Sequence, residues 1–266
     1  MSGLIALVLL AMAVVMAAAW AVQRATANGG WVDVCWTYGT GACCAAAALA
    51  PTGAVVGPYW RQVMVAGMIG LWALRLGTYV ALRVVRGPED VRYAALRRAW
   101  GGAFQRNMVG LVLVQAPASA LLAVAVVLAA RHPHPASRPA DALGLAIWLL
   151  ALFGEGAADG QMKRFKADPA HAGQVCDRGL WAWSRHPNYL FEAIGWLAYP
   201  VIAFDPARPW SLAALVAPVL MFGLLRFGTG VPPLEAAMLA SKGEAYRRYQ
   251  ARVSPFLPRP PRELPA

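Results

Sequence analysis

The hexapeptide "SRHPNY" (184–189) combines a guanidinium, an imidazole, an amide and a phenol, contributed by Arg185, His186, Asn188 and Tyr189. It stands directly before an apolar run, and Glu192 lies inside that run, one helical turn after Asn188. Proline is tolerated near a helix start because the backbone N–H that it lacks would have no partner within the helix. The remaining backbone amides at a helix start can bind an anion. These residues could therefore hold an anionic ligand while an amide and a carboxylate bind its polar groups.

Further cations precede the hexapeptide in "KRFKADPAHAGQVCDRGLWAW" (163–183), within the most polar stretch of the chain. Those suited to an anion, together with Arg185, are Lys163, Arg164, Lys166 and Arg178. Arginine is well shaped for bidentate contacts with phosphate. A basic loop that meets anionic lipid heads is the alternative interpretation. With Asn188, Tyr189 and Glu192 attached, the whole stretch favours an anionic cofactor.

Charged side chains also stand inside apolar runs, where a bilayer makes them costly and function is the default explanation. They are Asp33, Arg75, Glu155, Asp159, Glu192 and Arg226. Glu155 and Asp159 are four residues apart, so they share one helix face. The alternative is ion pairing that only holds the bundle together, for example of Arg75 with Asp33 or Glu192. Six desolvated charges exceed what such scaffolding needs, and we predict a polar chamber open to the cytoplasm.

The elements that must position these residues are membrane helices. The chain has 266 residues, of which 59% are hydrophobic and 14% charged, whereas about a quarter are charged in soluble domains. Its apolar runs are about twenty residues long, the length of a helical span, and do not alternate as barrel strands do. They lie near 2–22, 32–51, 62–82, 108–130, 142–161, 189–204 and 210–229. We predict an all-α polytopic membrane protein, one seven-helix domain over 1–266 with a Pro-rich tail (254–266), in which the second and sixth spans are weakest.

The net charge of +11 is distributed as in a membrane protein and argues against a nucleic-acid partner. Cations collect in the loops after the third and fifth runs and in the C-terminal tail. Because basic loops stay in the cytoplasm, this distribution places the N-terminus outside and the C-terminus in the cytoplasm. The first run is expected to be a retained span, since no Lys or Arg precedes it as in a signal peptide.

Several other functional patterns are missing from the sequence. The four cysteines have neither zinc-site spacing nor the pattern of a secreted disulfide framework, and "HPHP" (132–135) is interpreted as a loop, so no metal site is predicted. No GxGxxG follows a strand, and GxxxxGK[ST] does not occur. Any nucleotide must therefore be held by helices and loops rather than by a Rossmann unit.

The run "RFKADP…DRGLWAWSRHPNYLFEAIGW" resembles the C-terminal domain of the steroid 5α-reductase family, in particular its bacterial membrane branch. The resemblance covers roughly residues 30–256 and is strongest over 153–200. It implies a seven-helix bundle that holds NADPH from the cytoplasmic side. It also implies reduction of a carbon–carbon double bond conjugated to a ketone, such as the C4=C5 bond of a 3-oxo-Δ4 steroid.

On the fifth and sixth helices the resemblance implies a cofactor site. The family has an acidic residue one turn after an Asn, which is similar to Glu192 after Asn188. Its polar pair four residues apart corresponds to Glu155 and Asp159, with Glu155 at a position that is Asn in the human-type enzymes. Lys166 stands where the family has a phosphate-binding Arg, so the cation is kept but the planar fork is lost.

On the second and third helices the resemblance implies further contacts. Arg75 and Tyr79 are similar to an Arg–Tyr pair that the family has on its third helix. Trp72 replaces the family's substrate-contacting Tyr, and Asp33 is one methylene shorter than its usual Glu. A buried, protonated Asp33 could polarise the ketone as enolate charge develops, with assistance from Trp72 or Tyr38. The family's cofactor-contacting His and Tyr after the seventh span are replaced by "FGTGVPPLE".

Two other functions stay open at this point. Membrane methyltransferases that use S-adenosylmethionine and act on isoprenylcysteine or phospholipids also carry an "RHPxY" stretch and a later Glu, which "RHPNY" and Glu235 resemble. A non-enzymatic sterol or lipid binder would need no cofactor. The leading expectation is a monomeric NADPH-dependent enone reductase of the bacterial inner membrane, with lipid around it and an apolar, steroid-like substrate.

Overall fold

The computed structural model describes residues 1–51 and 57–263 and contains α-helices and short 3₁₀ turns but no strand within those ranges. The helices are α1 (Ser2–Thr26), α2 (Gly30–Leu49), α3 (Tyr59–Arg86), α4 (Val91–Trp100), α5 (Phe104–Leu113), α6 (Gln115–Ala130), α7 (Pro139–Ala167), α8 (Pro187–Ala203), α9 (Val216–Phe227), α10 (Val231–Lys242) and α11 (Glu244–Arg252). The 3₁₀ turns span Gly101–Ala103, Pro169–His171, Gly179–Ala182 and Pro209–Leu215. The predicted all-α class is confirmed over the described residues.

Five helical segments are long and apolar enough to cross a membrane: Ser2–Thr26, Tyr59–Arg86, Val91–Ala130, Pro139–Ala167 and Pro209–Lys242. All seven predicted apolar runs are helical over most of their length. The two predicted to be weakest, α2 and α8, are not among the five. α2 carries Asp33 and "TYGTG", and α8 has only 17 residues. A count of seven spans and the orientation of the termini stay predictions.

The chain divides into two compact units. The N-terminal unit comprises Met1–Gly144 and Tyr199–Leu220, and the C-terminal unit comprises Leu145–Ala198 and Met221–Ala266. Each of the helices α7, α8 and α9 has one end in the N-terminal unit and the other end in the C-terminal unit.

Small residues bring the helices of the N-terminal unit close together. Gly41 of α2 lies against Ala73 of α3, and Gly77 of α3 lies against the ring of Tyr38, so a side chain at either glycine would collide. Small residues at contacts allow membrane helices to approach closely and gain van der Waals packing. A buried hydroxyl pair, Thr40 Oγ1 and Ser119 Oγ at 2.8 Å, adds a polar link between α2 and α6.

A buried guanidinium fastens the loop between α6 and α7 to the start of α3. Arg61 is fully buried and binds both carboxylate oxygens of Asp141, at 3.0 and 2.9 Å. Its other N–H groups donate to the carbonyl oxygens of His132 (2.8 Å), His134 (2.7 Å) and Ala136 (3.1 Å). All five guanidinium donors are therefore used. Arg138 adds a further ion pair to Asp141, at 2.8 Å.

His132, in the same loop, should make folding stability depend on pH. Arg138 Nη1 donates to His132 Nε2 at 2.7 Å, which requires a ring nitrogen with a lone pair. Burial and the charges of Arg138 and Arg61, against weaker opposition from Asp205 and Asp141, lower its pKa from 6.5 to about 4. The stabilisation from neutral His132 is then complete above pH 6.5 and is lost as the pH falls towards 4.

We expect the melting temperature of the native protein, relative to that of His132→Gln, to fall as the pH of a detergent solution is lowered from 7 to 4.5. His134→Gln, at an exposed position in the same loop, serves as the control and should leave the pH profile unchanged. A difference between native protein and His132→Gln that does not vary with pH would contradict the assignment.

Candidate functional site

α7 and α8 run antiparallel within the C-terminal unit, and glycines set their register. Phe191 lies against Gly154, where a side chain would collide with its ring, and Gly195 faces Ala151. Asn188 Nδ2 donates to Asp159 Oδ1 at 3.3 Å and ties the start of α8 to α7. This register brings Glu155 to the level of the turn of α8 that carries Glu192.

Three carboxylates line this helix pair and are called the carboxylate row: Glu155, Asp159 and Glu192, which are 5%, 6% and 7% exposed. Trp196 Nε1 donates to Glu192 Oε1 at 2.8 Å. Buried carboxylates are stable only when hydrogen bonds or opposite charges compensate them. Carboxylate and amide oxygens accept hydrogen bonds from hydroxyl and amide donors. Because a carboxylate has about four acceptor sites, the row can bind a neutral, donor-rich group in addition to its partners within the protein.

The predicted cations Lys163, Arg164, Lys166 and Arg178 are exposed on the end of α7 and the loop that follows it. Lys163 comes one helical turn after Asp159, so positive charge begins where the carboxylate row ends. Phe165 stacks on His171, with ring centroids 4.5 Å apart, and fixes the first turn of the loop. A ligand with a donor-rich part and an anionic part would find both complements along one helix.

Arg185 does not belong to this exposed set. Its Nε and Nη2 donate to the two oxygens of Glu235, at 2.7 and 3.2 Å. Its Nη1 donates to the carbonyl oxygens of Gln250 (3.0 Å) and Val253 (2.6 Å) at the end of α11. Arg185, His186, Glu235 and Gln250 form what we call the Glu235 cluster. The predicted phosphate contact is thus replaced by a structural role, because the guanidinium is buried and already bound.

His186 completes the Glu235 cluster from the other side. Its Nε2 lies 3.1 Å from Glu235 Oε1, and its ring stacks on Tyr189 with centroids 5.6 Å apart. Burial lowers the pKa of His186, against the opposing effect of Glu235. A neutral imidazole that donates through Nε2 has a lone pair on Nδ1, and Nδ1 has no hydrogen-bond partner among the described residues.

The C-terminal tail folds back over the loop that carries the hexapeptide. Tyr249 Oη donates to the Trp181 carbonyl at 2.6 Å, and Ser184 Oγ donates to the Phe256 carbonyl at 2.8 Å. Arg185 N donates to the Ser254 carbonyl at 2.9 Å. The apolar face of α11, formed by Tyr246, Tyr249 and Val253, is buried beside Val175, Met238 and Leu239. The tail therefore holds the loop in place.

In the N-terminal unit, Asp33 is bound by two residues of α4. Arg92 Nη2 lies 2.6 Å from Asp33 Oδ2, and Tyr93 Oη donates to Asp33 Oδ1 at 2.7 Å. Arg92 also pairs with Asp90 at 2.9 Å. We call these four residues the Asp33 cluster. A guanidinium and a phenol hydroxyl thus lie within hydrogen-bond distance of the Asp33 carboxyl group, which differs from the apolar setting predicted for this residue.

The position of α4 depends on contacts with the turn between α1 and α2. Glu89 accepts the backbone N–H of Gly29 at 2.8 Å and pairs with Arg97 at 2.8 Å. Gly29 lies against the ring of Tyr93, leaving no space for a side chain. The sequence "GPED" (87–90), just before α4, is typical of a turn. It contains no signal that Arg92 and Tyr93 bind an acid about sixty residues earlier.

The other predicted site residues have local partners. Tyr38 Oη bonds Thr78 Oγ1 at 2.8 Å, and Trp72 meets Trp36 edge-on with centroids 6.2 Å apart. Arg75 and Tyr79 follow Trp72 on α3, and Tyr79 packs beside the core cluster of Val34, Val80 and Val84. In the C-terminal unit, the Arg226 guanidinium lies over the Phe227 ring at 5.0 Å. Of the predicted residues, the structure thus brings together Asp159 and Asn188, and His186 and Tyr189.

Comparison with known proteins yields a family and one partial relative. A family model described as "Protein of unknown function (DUF1295)" matches residues 19–253. The chain is 35% identical over 100 residues to the uncharacterized protein C594.04c of Schizosaccharomyces pombe. That match covers 36% of this chain and 27% of the relative, so the chain spans about a quarter of the relative's length. No solved structure matches the chain.

Proposed function

We propose that this chain, which belongs to the DUF1295 family, is a membrane-bound, NADPH-dependent reductase. Its substrates would be 3-oxo-Δ4 steroids, reduced at the C4=C5 bond, or similar apolar enones. DUF1295 is associated with steroid 5α-reductase-like membrane proteins, which supports the proposal at the level of the family. The cofactor side would face the cytoplasm of a bacterial cell, across the inner membrane.

One observation carries the proposal: the carboxylate row and the exposed cations follow one another along α7, with Asn188 of α8 bound to the row. NADPH has the same two chemical parts, a nicotinamide riboside rich in donors and a set of phosphates. Buried Glu155, Asp159 and Glu192 would accept from the carboxamide and ribose hydroxyls. Lys163, Arg164 and Lys166, on the same helix as Glu155 and Asp159, would bind the phosphates. The residues present therefore fit this cofactor.

When bound, NADPH supplies the hydride that the β-carbon of the enone accepts. The task of the chain is to hold the reacting groups and to stabilise the charge that develops on the ketone oxygen. Both oxygens of Asp33 already accept hydrogen bonds, from Arg92 Nη2 and Tyr93 Oη, so on this proposal Asp33 holds Arg92 in position. The Arg92 guanidinium, which has five N–H donors, then polarises the ketone, while the single proton of the Tyr93 hydroxyl remains hydrogen-bonded to Asp33.

A screen of enones tests the proposed reaction. Purified protein in detergent is mixed with NADPH and with Δ4-3-ketosteroids or other apolar enones, and cofactor absorbance is followed. We expect NADPH oxidation that depends on a conjugated double bond, is absent with the matching saturated ketone, and is strongly reduced by Asp33→Ala. Full turnover by Asp33→Ala would remove the Asp33 cluster from the mechanism. If NADPH is not oxidised with any enone, the proposed reaction is wrong.

Replacing Glu192 should weaken NADPH binding by about tenfold or more, the cost of losing a hydrogen bond to a charged group. Glu192→Gln keeps an oxygen that can accept from Trp196 Nε1, so folding should be preserved. Glu192→Ala removes both the acceptor for Trp196 and the proposed contact with NADPH. Quenching of tryptophan fluorescence on NADPH addition measures the dissociation constant. Glu244→Gln, at a side chain that is 62% exposed on α11, is the control and should bind normally. Normal binding by Glu192→Ala would exclude Glu192 from the site.

A second function is favoured by the Glu235 cluster. In the S-adenosylmethionine-dependent membrane methyltransferases that the sequence also resembles, an "RHPxY" stretch is accompanied by a later Glu. Here that Glu, Glu235, binds Arg185 and His186 directly. The cluster thus joins the two parts of that pattern, but it leaves Arg185 with a structural task. Binding of S-adenosylmethionine in place of NADPH would select this second function.

A further inference from the structure

An apolar cleft of about 300 Å³ lies on the C-terminal unit, and its lining includes no residue of the carboxylate row or of the Glu235 cluster. It is lined by Leu180, Trp183, Pro187, Leu190, Phe191 and Pro258, with Ser184. The hydroxyl of Ser184 is already satisfied, since it donates to the Phe256 carbonyl at 2.8 Å and accepts from His186 N at 3.2 Å. This lining suits a hydrocarbon chain better than a sugar or a base, which would lose hydrogen bonds on entry.

The level of the cleft along α7 can be read from two hydrogen bonds. Leu180 N donates to Gln161 Oε1 at 2.9 Å, and Trp181 Nε1 donates to the Ala158 carbonyl at 3.0 Å. Both acceptors lie in the last three turns of α7 (Pro139–Ala167), which is long and apolar enough to cross a membrane. The cleft therefore stands at the end of a candidate span. Trp183, 49% exposed in its wall, is a residue type enriched where bilayer and water meet.

Two arginines stand at the rim of the cleft. Arg259 N donates to the Trp183 carbonyl at 3.1 Å, which holds Arg259 beside the lining residue Pro258. Arg178 directly precedes the Gly179–Ala182 turn that carries Leu180. Both side chains are exposed, and neither forms an ion pair with any residue in 1–51 or 57–263. A hydrocarbon-binding wall with a cationic rim requires a ligand that is apolar at one end and anionic at the other.

We propose that the cleft binds one acyl chain of an anionic glycerophospholipid, whose phosphate pairs with Arg259 and Arg178. Such a lipid has both required parts, and a bilayer presents it at the level of the cleft. A neutral enone would fill the apolar cleft but would leave the two arginines at its rim without a counter-charge. The proposal concerns a lipid site separate from the cofactor site and does not depend on the reaction.

Quenching by brominated lipid tests the site in the full-length protein. The protein is reconstituted in bilayers of phosphatidylglycerol and phosphatidylcholine, with bromine on the acyl chains of one class at a time. The Trp183 contribution is the emission of the native protein minus that of Trp183→Phe. We expect this contribution to be quenched preferentially by brominated phosphatidylglycerol. Arg259→Gln should reduce the preference about fivefold, the effect of one arginine near an anionic lipid.

Arg248→Gln is the matched control, because Arg248 is 74% exposed on α11 and does not line the cleft. It removes the same charge and should leave the preference intact. Equal quenching by both lipid classes, or an equal effect of Arg248→Gln, would show only bulk attraction and overturn the proposal. Recovery of emission on adding soluble glycerol 3-phosphate would show that the headgroup alone is bound, and would overturn the acyl-chain assignment. An enone that displaces the lipid at equal concentration would make the cleft a substrate site instead.

Discussion

Arg185→Ala should destabilise the C-terminal unit by about 3–5 kcal/mol, the cost of breaking a buried ion pair from one side. The substitution leaves Glu235 without its bidentate partner and removes the donors bound to the Gln250 and Val253 carbonyls. Those carbonyls terminate α11, so the helix end loses its cap. The free energy of unfolding in mixed detergent micelles, without any cofactor, measures the effect. Proteolysis between α10 and α11 should accelerate in parallel.

Two further variants separate this structural role from phosphate binding. Arg178→Ala removes an exposed cation from the same loop and should change stability by no more than about 0.5 kcal/mol. Arg185→Lys keeps the charge but not the fork, and should fall between Arg185→Ala and the native protein. If Arg185 bound phosphate instead, the cofactor-free Arg185→Ala protein would be as stable as Arg178→Ala and would only lose NADPH affinity.

Arg61→Ala should have a comparable effect on the N-terminal unit, about 3–5 kcal/mol of unfolding free energy. The substitution removes five hydrogen bonds, and three loop carbonyls lose the donor that they have in the native protein. Asp141 keeps Arg138, at 2.8 Å, which limits the loss. Unfolding of purified protein in detergent, monitored by tryptophan fluorescence, gives the free-energy difference.

Arg208→Ala serves as the control for Arg61. Its guanidinium, 33% exposed, makes one 3.6 Å contact with Asp205 in the same unit. A pair of that kind contributes about 0–1 kcal/mol. Equal destabilisation by Arg208→Ala and Arg61→Ala would mean that burial of Arg61 adds nothing, and would contradict the role assigned to it.

Local sequence patterns predicted the helices and the candidate residues that share one helix face. The apolar runs predicted the helical segments because runs of about twenty apolar residues have few other structures available. The spacing of Glu155 with Asp159, and of Asn188 with Glu192, placed each pair on one helix face. Glycines at 154 and 195 then permit the close contact of α7 and α8 that joins Asp159 to Asn188. A spacing of three or four residues is enough to predict which side chains are neighbours on one helix.

The partners of individual charges could not be predicted in the same way. Arg185 was assigned to phosphate because it stands in a basic stretch, but Glu235 is 50 residues away in sequence. Asp33 was expected in an apolar setting, whereas Arg92 approaches from 59 residues away. Such pairs form only when helices pack, and no local spacing encodes them. Arg92 belongs to the cations that collect after the third apolar run, and Tyr93 stands in no recognised motif, so neither was predicted to be the partner of an acid.

Equilibrium binding of NADPH and of S-adenosylmethionine to the purified full-length protein tests the proposed function most directly. We predict saturable binding of NADPH that is weakened about tenfold or more by Glu192→Gln, is unchanged in Glu244→Gln, and is not displaced by S-adenosylmethionine. Saturable binding of S-adenosylmethionine with no binding of NADPH would contradict the reductase proposal and leave the methyltransferase in its place.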